Sequence, residues 1–124
     1  MTQKTKNILL WILTAMVGFI FIASASAKLL ANTDALAVAS TMGLSATSYK
    51  VLGVIEILSV VLFIIPRTGL LGTLLLVAYL GGAIATHLEH NQSIVAPIAI
   101  ACFVWIVATV RFAELTKRIR GLDN

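Results

Sequence analysis

Charged residues and cysteine are both scarce in this sequence. Of its 124 residues 11% are charged and 60% are hydrophobic, whereas soluble globular domains have about 25% and about 45–50%. This balance excludes an ordinary water-soluble domain and indicates a membrane protein. Cys102 is the only cysteine, so a single chain cannot form a disulfide, a CxxC redox pair or a thiolate zinc site.

The positive charges do not form a nucleic-acid-binding cluster. The net charge is +4, but the basic residues flank apolar segments, as the positive-inside rule describes for membrane proteins. We therefore expect no nucleic-acid partner. The lipid bilayer is the expected surroundings of most of the chain.

Four long apolar segments predict an all-α integral membrane four-helix bundle, formed as one domain by residues 1–124. The first segment has 20 uncharged residues, which at about 1.5 Å per residue cover about 30 Å, the thickness of the hydrocarbon core. Residues 31–50 predict a short extracytoplasmic helix and a turn between the first two spans. The predicted spans are about 8–27, 46–65, 68–86 and 94–110, with a basic tail over 111–124.

The first segment also has the pattern of a secretory signal peptide. Lys4 and Lys6 precede the apolar run, and residues 25–27, Ala-Ser-Ala, have the form of an A-x-A cleavage site. However, the run exceeds the about 7–15 residues of a typical signal peptide, which favours a retained span. Cleavage stays as the alternative.

The distribution of Lys and Arg predicts that both termini are cytoplasmic. Seven lie at the N-terminus, in the turn at 66–68 and in the tail, and two lie on the opposite side. The expected location is the cell (inner) membrane, with the first and third connections outside. The seven are Lys4, Lys6, Arg67, Arg111, Lys117, Arg118 and Arg120, and the two are Lys28 and Lys50.

One carboxylate interrupts the second span. Glu56 is the only charged residue in 51–65, and a charge at the bilayer centre costs about 2.5–3.5 kcal/mol on insertion scales. Such residues usually face the protein interior and have partners. A span that begins at Val51 places Glu56 about 8 Å below the outer boundary, which favours an ion pair with Lys28, whereas a start at Ala46 places it about 15 Å deep.

Other polar residues are predicted to lie near this carboxylate. Lys28 ends the first span and His87 ends the third on the same side, so both can converge on Glu56. Tyr79 and Thr86 can supply hydroxyl donors. The predicted site is therefore a Lys28–Glu56–His87 cluster with these two hydroxyl groups.

Glu56 has two interpretations. In the first, it pairs with Lys28 or donates as a neutral acid, and so only fixes how the helices dock. In the second, it lines an outward-opening polar pocket, because intramembrane acids are often functional. Lysine alone beside the carboxylate favours the first interpretation, and an open cavity favours the second.

His87, Glu89 and His90 are close enough in sequence to suggest a metal site. Two histidines and one acid beside a loop are more often a solvated helix end. We therefore expect no metal.

Several short motifs occur in a characteristic order over about residues 10–112. They are a small-residue helix end followed by Lys28-Leu29, Met42-Gly43-Leu44, Leu52-Gly53-Val54-Ile55-Glu56, the turn Pro66-Arg67-Thr68, and Gly81-Gly82-Ala83-Ile84-Ala85-Thr86-His87. Together they resemble the DoxX family, in particular its DoxX-like branch. The resemblance implies a four-helix membrane bundle with recurring lysine, glutamate and histidine positions, here Lys28, Glu56 and His87. It also implies a link to quinone-dependent sulfur oxidation as a small subunit, or to membrane oxidoreductase and oxidative-stress complexes.

Three functions remain open at this point. The preferred one is an accessory or quinone-interacting subunit of a membrane redox system, with quinone as its ligand and no covalently bound cofactor. Its expected partners are membrane oxidoreductase subunits or further copies of the chain. The alternatives are a small proton-coupled transporter and a structural or chaperone-like membrane protein. A stand-alone enzyme is less expected, because the sequence has no phosphate loop and no nucleophile–base spacing of the hydrolase or kinase kinds.

Overall fold

The computed structural model describes residues 2–121, and helices make up most of this range. In these residues six α-helices and one 3₁₀ turn are present, and there is no β-strand. The prediction of an all-α helical membrane bundle is confirmed. The helices are α1 (Gln3–Leu30), α2 (Thr33–Thr41), α3 (Ala46–Ile64), α4 (Gly69–Glu89), α5 (Val95–Arg111) and α6 (Ala113–Ile119), with the 3₁₀ turn Pro66–Thr68 between α3 and α4.

Three helical segments of residues 2–121 are long and apolar enough to cross a membrane by themselves, and they contain α1, α3 and α4. The fourth predicted span corresponds to α5, which has 17 residues and reaches span length only together with α6. These two helices are bent by 108° where Phe112 separates them. The predicted tail is therefore partly helical, and Arg111 belongs to α5. Residues 122–124 of that tail lie outside the described residues, as does Met1.

Side-chain caps explain where the first three helices begin. Thr2, Asn32 and Ser45 each accept a hydrogen bond from the backbone N–H three residues further on, which satisfies a donor that the first turn leaves free. Ser45 thus places the start of α3 at Ala46, the earlier of the two predicted starts. Gly43, with a φ of 68°, provides the left-handed turn between α2 and α3.

The four long helices form a ring in which α1 packs on α3, α3 on α4, α4 on α5, and α5 less extensively on α1. Large apolar side chains also cover the outside, for example Phe19, which is 76% exposed, and Leu58, which is 59% exposed. Helices that are apolar on all sides are typical of membrane spans. The core side chains are Val17, Phe21, Val60, Phe63, Leu76, Leu80, Val104, Val107, Ala108 and Phe112.

Glycines allow two pairs of helices to approach closely. A Cβ at Gly72 would overlap the backbone of Phe63, so α3 and α4 are in direct contact there. A Cβ at Gly53 would lie 3.1 Å from the Cβ of Lys28 and 3.2 Å from the carbonyl oxygen of Ala25, so α1 and α3 are nearly as close. Small residues permit such approaches in membranes. The second approach brings Lys28 to the face of α3 that contains Glu56.

Arg111 joins three helices at the opposite end of the bundle. Its Nη1 donates to the carbonyl oxygen of Phe63 and its Nη2 to that of Ile64, two carbonyls that α3 itself leaves free at its C-terminus. Its guanidinium carbon lies 5.3 Å from the ring centroid of Trp11 and 4.8 Å from that of Phe112. The distribution of Lys and Arg predicted Arg111 only as part of the basic tail, and these contacts with α1 and α3 were not predicted.

Candidate functional site

Glu56 forms an ion pair with Lys28 inside the bundle. The Nζ of Lys28 lies 2.7 Å from Oε1 of Glu56, and the two side chains are 10% and 1% exposed. The pair forms although α3 begins at Ala46, the start that had disfavoured it. The physical reason is that Lys28 lies beside Gly53, about two turns into α3, so only one further turn separates it from the carboxylate.

The hydrogen bonds of Glu56 are all on one oxygen. Oε1 accepts from Nζ of Lys28, from Oη of Tyr79 at 3.0 Å and from Oγ of Ser24 at 3.3 Å. Lys28 also donates to Oγ of Ser24 at 2.7 Å. Oε2 is buried and has no hydrogen-bond partner among residues 2–121. Buried polar atoms usually have a partner, so this oxygen requires an explanation.

Two of these neighbours were not predicted. Ser24 lies four residues before Lys28 on α1, a spacing that places both on the same helix face and was readable from the sequence. Tyr49 lies seven residues before Glu56 on the buried face of α3, and its ring centroid is 5.4 Å from Nζ of Lys28. The ring of Tyr79 is at 5.8 Å from the same nitrogen. The ammonium group thus faces two aromatic rings as well as the carboxylate.

A cavity of about 660 Å³ adjoins the ion pair. It lies between α1, α3, α4 and α5, and Met42 and Leu44 contribute to it from the turn after α2. Its walls are mainly apolar, and its size falls in the range of about 300–1,000 Å³ typical of small-molecule sites. Two shallower depressions are formed by residues of α1 alone, so they do not enclose a ligand. The polar lining residues are Ser24, Lys28, Tyr49, Glu56, Tyr79, Thr86 and His87.

Thr86 and His87 line this cavity without bonding to Glu56. The Oγ1 of Thr86 donates to the carbonyl oxygen of Gly82 at 2.9 Å, and Nδ1 of His87 lies 2.6 Å from the carbonyl oxygen of Ala83. Both side chains therefore bond to the preceding turn of their own helix. Of the two hydroxyl groups predicted to donate to Glu56, that of Tyr79 does and that of Thr86 does not. The hydrogen-bonded group consists of Ser24, Lys28, Glu56 and Tyr79, without His87.

His90, the second histidine of the suggested metal site, also bonds to the backbone of α4. Nδ1 of His90 lies 2.9 Å from the carbonyl oxygen of Thr86. Within the described part of the chain, no three His, Cys, Asp or Glu side chains are grouped closely enough to hold a metal ion. The chemistry available at the site is therefore ion pairing and hydrogen bonding next to an apolar space.

Comparison with known proteins agrees with the motifs and the fold. The model of the DoxX-like family matches residues 12–110, which include most of α1, all of α2 to α4 and nearly all of α5. No curated protein and no solved structure matches the chain significantly. Because the family match covers most of the chain, including Lys28, Glu56 and the residues around the cavity, this protein belongs to the DoxX-like family.

Proposed function

We propose that this membrane protein binds a small apolar ligand with a polar head group, of the quinone type, in the cavity beside Glu56. The observation that carries the proposal is the buried, unpartnered Oε2 of a residue that lines a cavity of about 660 Å³ among the described residues. Apolar walls suit the body of such a ligand. The few polar groups at the ion pair suit its head.

The cavity distinguishes this proposal from a purely structural role. An ion pair that served only to dock α1 on α3 would be surrounded by close-packed side chains, because protein interiors contain few voids larger than a water molecule. Here the core of the other half of the bundle, around Phe63, Leu76 and Val107, is fully buried, with further apolar side chains packed against it. The open space is next to the charged pair. This supports a ligand-binding site rather than an ion pair that only docks α1 on α3.

We further propose that the protein acts as an accessory subunit of a membrane redox system, in which a partner supplies the electrons. The chain's single cysteine, Cys102, cannot form a disulfide couple within the chain, and it is exposed on α5 away from the cavity lining. A ligand-binding subunit next to an oxidoreductase fits this arrangement. Copurification of the two from native membranes is the corresponding partner assay.

A proton-coupled transporter is the second candidate, because a buried carboxylate beside a cavity is what proton exchange requires. Transport also needs access from both sides of the membrane. The filled core between Glu56 and Arg111 leaves no such path in this structure among residues 2–121. The binding function is therefore preferred.

Filling the cavity from Gly82 is expected to weaken quinone binding. A Cβ at Gly82 meets no heavy atom within 4 Å, and Gly82 lines the cavity, so leucine can enter the space without displacing the backbone. We expect Gly82→Leu to raise the Kd of a short-chain quinone by roughly tenfold or more, equivalent to about 1.4 kcal/mol. Equilibrium dialysis against protein-loaded lipid nanodiscs, corrected with empty nanodiscs, measures this Kd.

Gly81→Leu is the matched control. Gly81 is adjacent on α4 and equally unobstructed, but it does not line the cavity. This variant is expected to bind the quinone as the unmodified protein does. Equal weakening by both substitutions would locate the binding elsewhere, and a protein that binds neither the quinone nor its hydroquinone above the lipid background would refute the proposed function.

We also propose an inner-membrane location with both termini in the cytoplasm. Arg111 at the end of α5 contacts Trp11 near the start of α1, so the N-terminal and C-terminal ends of the bundle lie on the same side. Most Lys and Arg residues also lie on this side, which the positive-inside rule assigns to the cytoplasm. In a Cys102→Ala background, we expect a membrane-impermeant maleimide to label Ser45→Cys in intact cells and to leave Gln3→Cys unlabelled. The reverse labelling would contradict this orientation.

A further inference from the structure

The polar side chains around the cavity have already used most of their hydrogen-bond donors. Tyr79 and Ser24 donate to Oε1 of Glu56, and Thr86 donates to a backbone carbonyl of its own helix. A carbonyl oxygen only accepts, so Nδ1 of His87 also carries its hydrogen toward the backbone, namely toward Ala83. In the neutral imidazole, Nε2 is then an acceptor. The lining therefore offers mainly acceptors to a ligand.

Among the hydrogen-bond acceptors around the cavity, Oε2 of Glu56 is the one that a donor from a ligand would stabilise most. In the ion pair with Lys28 the carboxylate can only accept hydrogen bonds, and Oε2 accepts none from residues 2–121 although it is buried. A charged acceptor without a partner in an apolar interior is more costly than a neutral one. A donor brought in by a ligand removes that cost, whereas a carbonyl or ether oxygen beside Oε2 does not.

The donors that remain do not discriminate between ligands. Lys28 has three N–H groups, of which two are directed to Ser24 and Glu56, and the hydroxyl of Tyr49 makes no hydrogen bond within the described part of the chain. Either donor can serve a ligand carbonyl or a ligand hydroxyl equally well. The difference between the two kinds of ligand therefore depends on Oε2 of Glu56.

We infer that the cavity selects apolar ligands whose head donates a hydroxyl hydrogen bond, such as hydroquinones and alkylphenols, over ligands whose head only accepts, such as quinones and aryl ethers. Oε2 is closed to the cavity in this structure, so the Glu56 side chain turns toward the ligand on binding. The hydroxyl hydrogen then binds to Oε2 of Glu56, and the hydroxyl oxygen accepts from Lys28 or Tyr49. This inference rests on the proposed binding function and specifies its ligand. In the redox system proposed above, it makes the reduced form the one that the protein retains.

A pair of redox-inactive probes tests the selectivity. 4-Hexylphenol and 4-hexylanisole have the same ring and chain, but only the phenol has a hydroxyl hydrogen. We expect the unmodified protein in nanodiscs to bind the phenol roughly tenfold or more tightly than the anisole, the difference that a hydrogen bond to a charged acceptor provides. Subtraction of binding to empty nanodiscs corrects for the different partition of the two probes into lipid.

The outcomes separate the inference from the proposed function. If the two probes bind equally, or the anisole binds more tightly, and Gly82→Leu weakens both, the selectivity is refuted and the cavity remains a ligand site. If no probe and no quinone binds above the lipid background, the binding function and the inference both fail. The comparison uses the unmodified chain, so it does not depend on whether any variant at the ion pair folds.

Glu56→Gln connects the selectivity to the carboxylate. The amide of glutamine supplies a donor as well as an acceptor, so we expect the preference for the phenol to fall to within about twofold. Glu89→Gln, at an exposed carboxylate beyond the cavity, is the matched control and should retain the preference. A Glu56→Gln protein that elutes from size-exclusion chromatography like the unmodified protein, and still prefers the phenol to the same extent, would show that the selectivity does not depend on Oε2.

Discussion

Replacing Lys28 with methionine is expected to destabilise the folded protein by about 3–5 kcal/mol, the cost of removing one partner from a buried ion pair. Methionine matches the apolar stem of lysine and lacks only the ammonium group, so the main loss is the charge. Glu56, 1% exposed, is then left with the hydroxyl groups of Tyr79 and Ser24 as its partners. Neither can neutralise a carboxylate.

Removing both charges is expected to reverse most of this loss. Apolar replacement of a whole buried ion pair is often neutral or stabilising by about 1–4 kcal/mol, because two desolvation penalties disappear together. Lys28→Met/Glu56→Leu should therefore be close to the unmodified protein in stability. Reversible unfolding in mixed micelles, followed by the fluorescence of Trp11 and Trp105, gives the free energies of unfolding for this double-mutant cycle.

Lys50→Met is the control for the substitution itself. Lys50 is exposed near the start of α3 and should change the free energy of unfolding by less than about 0.5 kcal/mol, as surface substitutions usually do. If Lys28→Met costs no more than Lys50→Met, the ion pair is not desolvated in the membrane. If the double variant is stable yet loses ligand binding, the charges are retained for the site rather than for stability.

Arg111→Met is expected to destabilise the opposite end of the bundle by about 3 kcal/mol. Its two hydrogen bonds to the carbonyl oxygens of Phe63 and Ile64 come from a charged donor, and each such bond contributes about 1.5–3 kcal/mol. We take the lower value because the side chain is only partly buried. The same unfolding measurement tests this prediction, with circular dichroism replacing fluorescence because Trp11 contacts the arginine.

A positive charge at position 111 should not by itself be sufficient for the full stability of the bundle. Arg111→Lys keeps the positive charge but cannot offer two N–H groups in the planar arrangement that reaches two carbonyls at once, so an intermediate loss is expected. Arg67→Met, at an exposed arginine in the turn between α3 and α4, should have little effect. Equal losses at Arg67 and Arg111 would mean that general charge at this membrane surface, and not the carbonyl contacts, stabilises the bundle.

Several features of the fold could be predicted because they depend on local sequence. The length of an apolar segment determines whether a helix can span a bilayer, and three of the four predicted spans correspond to helices that are long and apolar enough to do so alone. The fourth corresponds to α5, which has 17 residues and reaches span length only together with α6. The start of α3 was left open between two residues, and the capping side chain of Ser45 decides it. The family was also recognisable, because its motifs lie in order along the chain and the family match covers residues 12–110.

Other features depend on how the helices are rotated and how closely they approach. Tyr49 and Ser24 reach Lys28 or Glu56 because Gly53 brings α1 against α3. Arg111 reaches the end of α3 because α5 lies next to it in the ring. A single sequence without pairing information does not specify these distances, so these neighbours were missed. His87 was placed on the correct side of the bundle, but the carbonyl of its own helix was nearer than Glu56.

The sequence by itself determined that this protein is a helical membrane bundle with one acid in the middle of an apolar span, since hydrophobic length and a lone charge are properties of consecutive residues. Only the tertiary structure decided what surrounds that acid. Three donors from α1 and α4 converge on Oε1 of Glu56, and Oε2 is left unpartnered on a residue that borders a cavity, within residues 2–121. Which oxygen is satisfied depends on side-chain directions across helix interfaces, and these exist only in the assembled bundle.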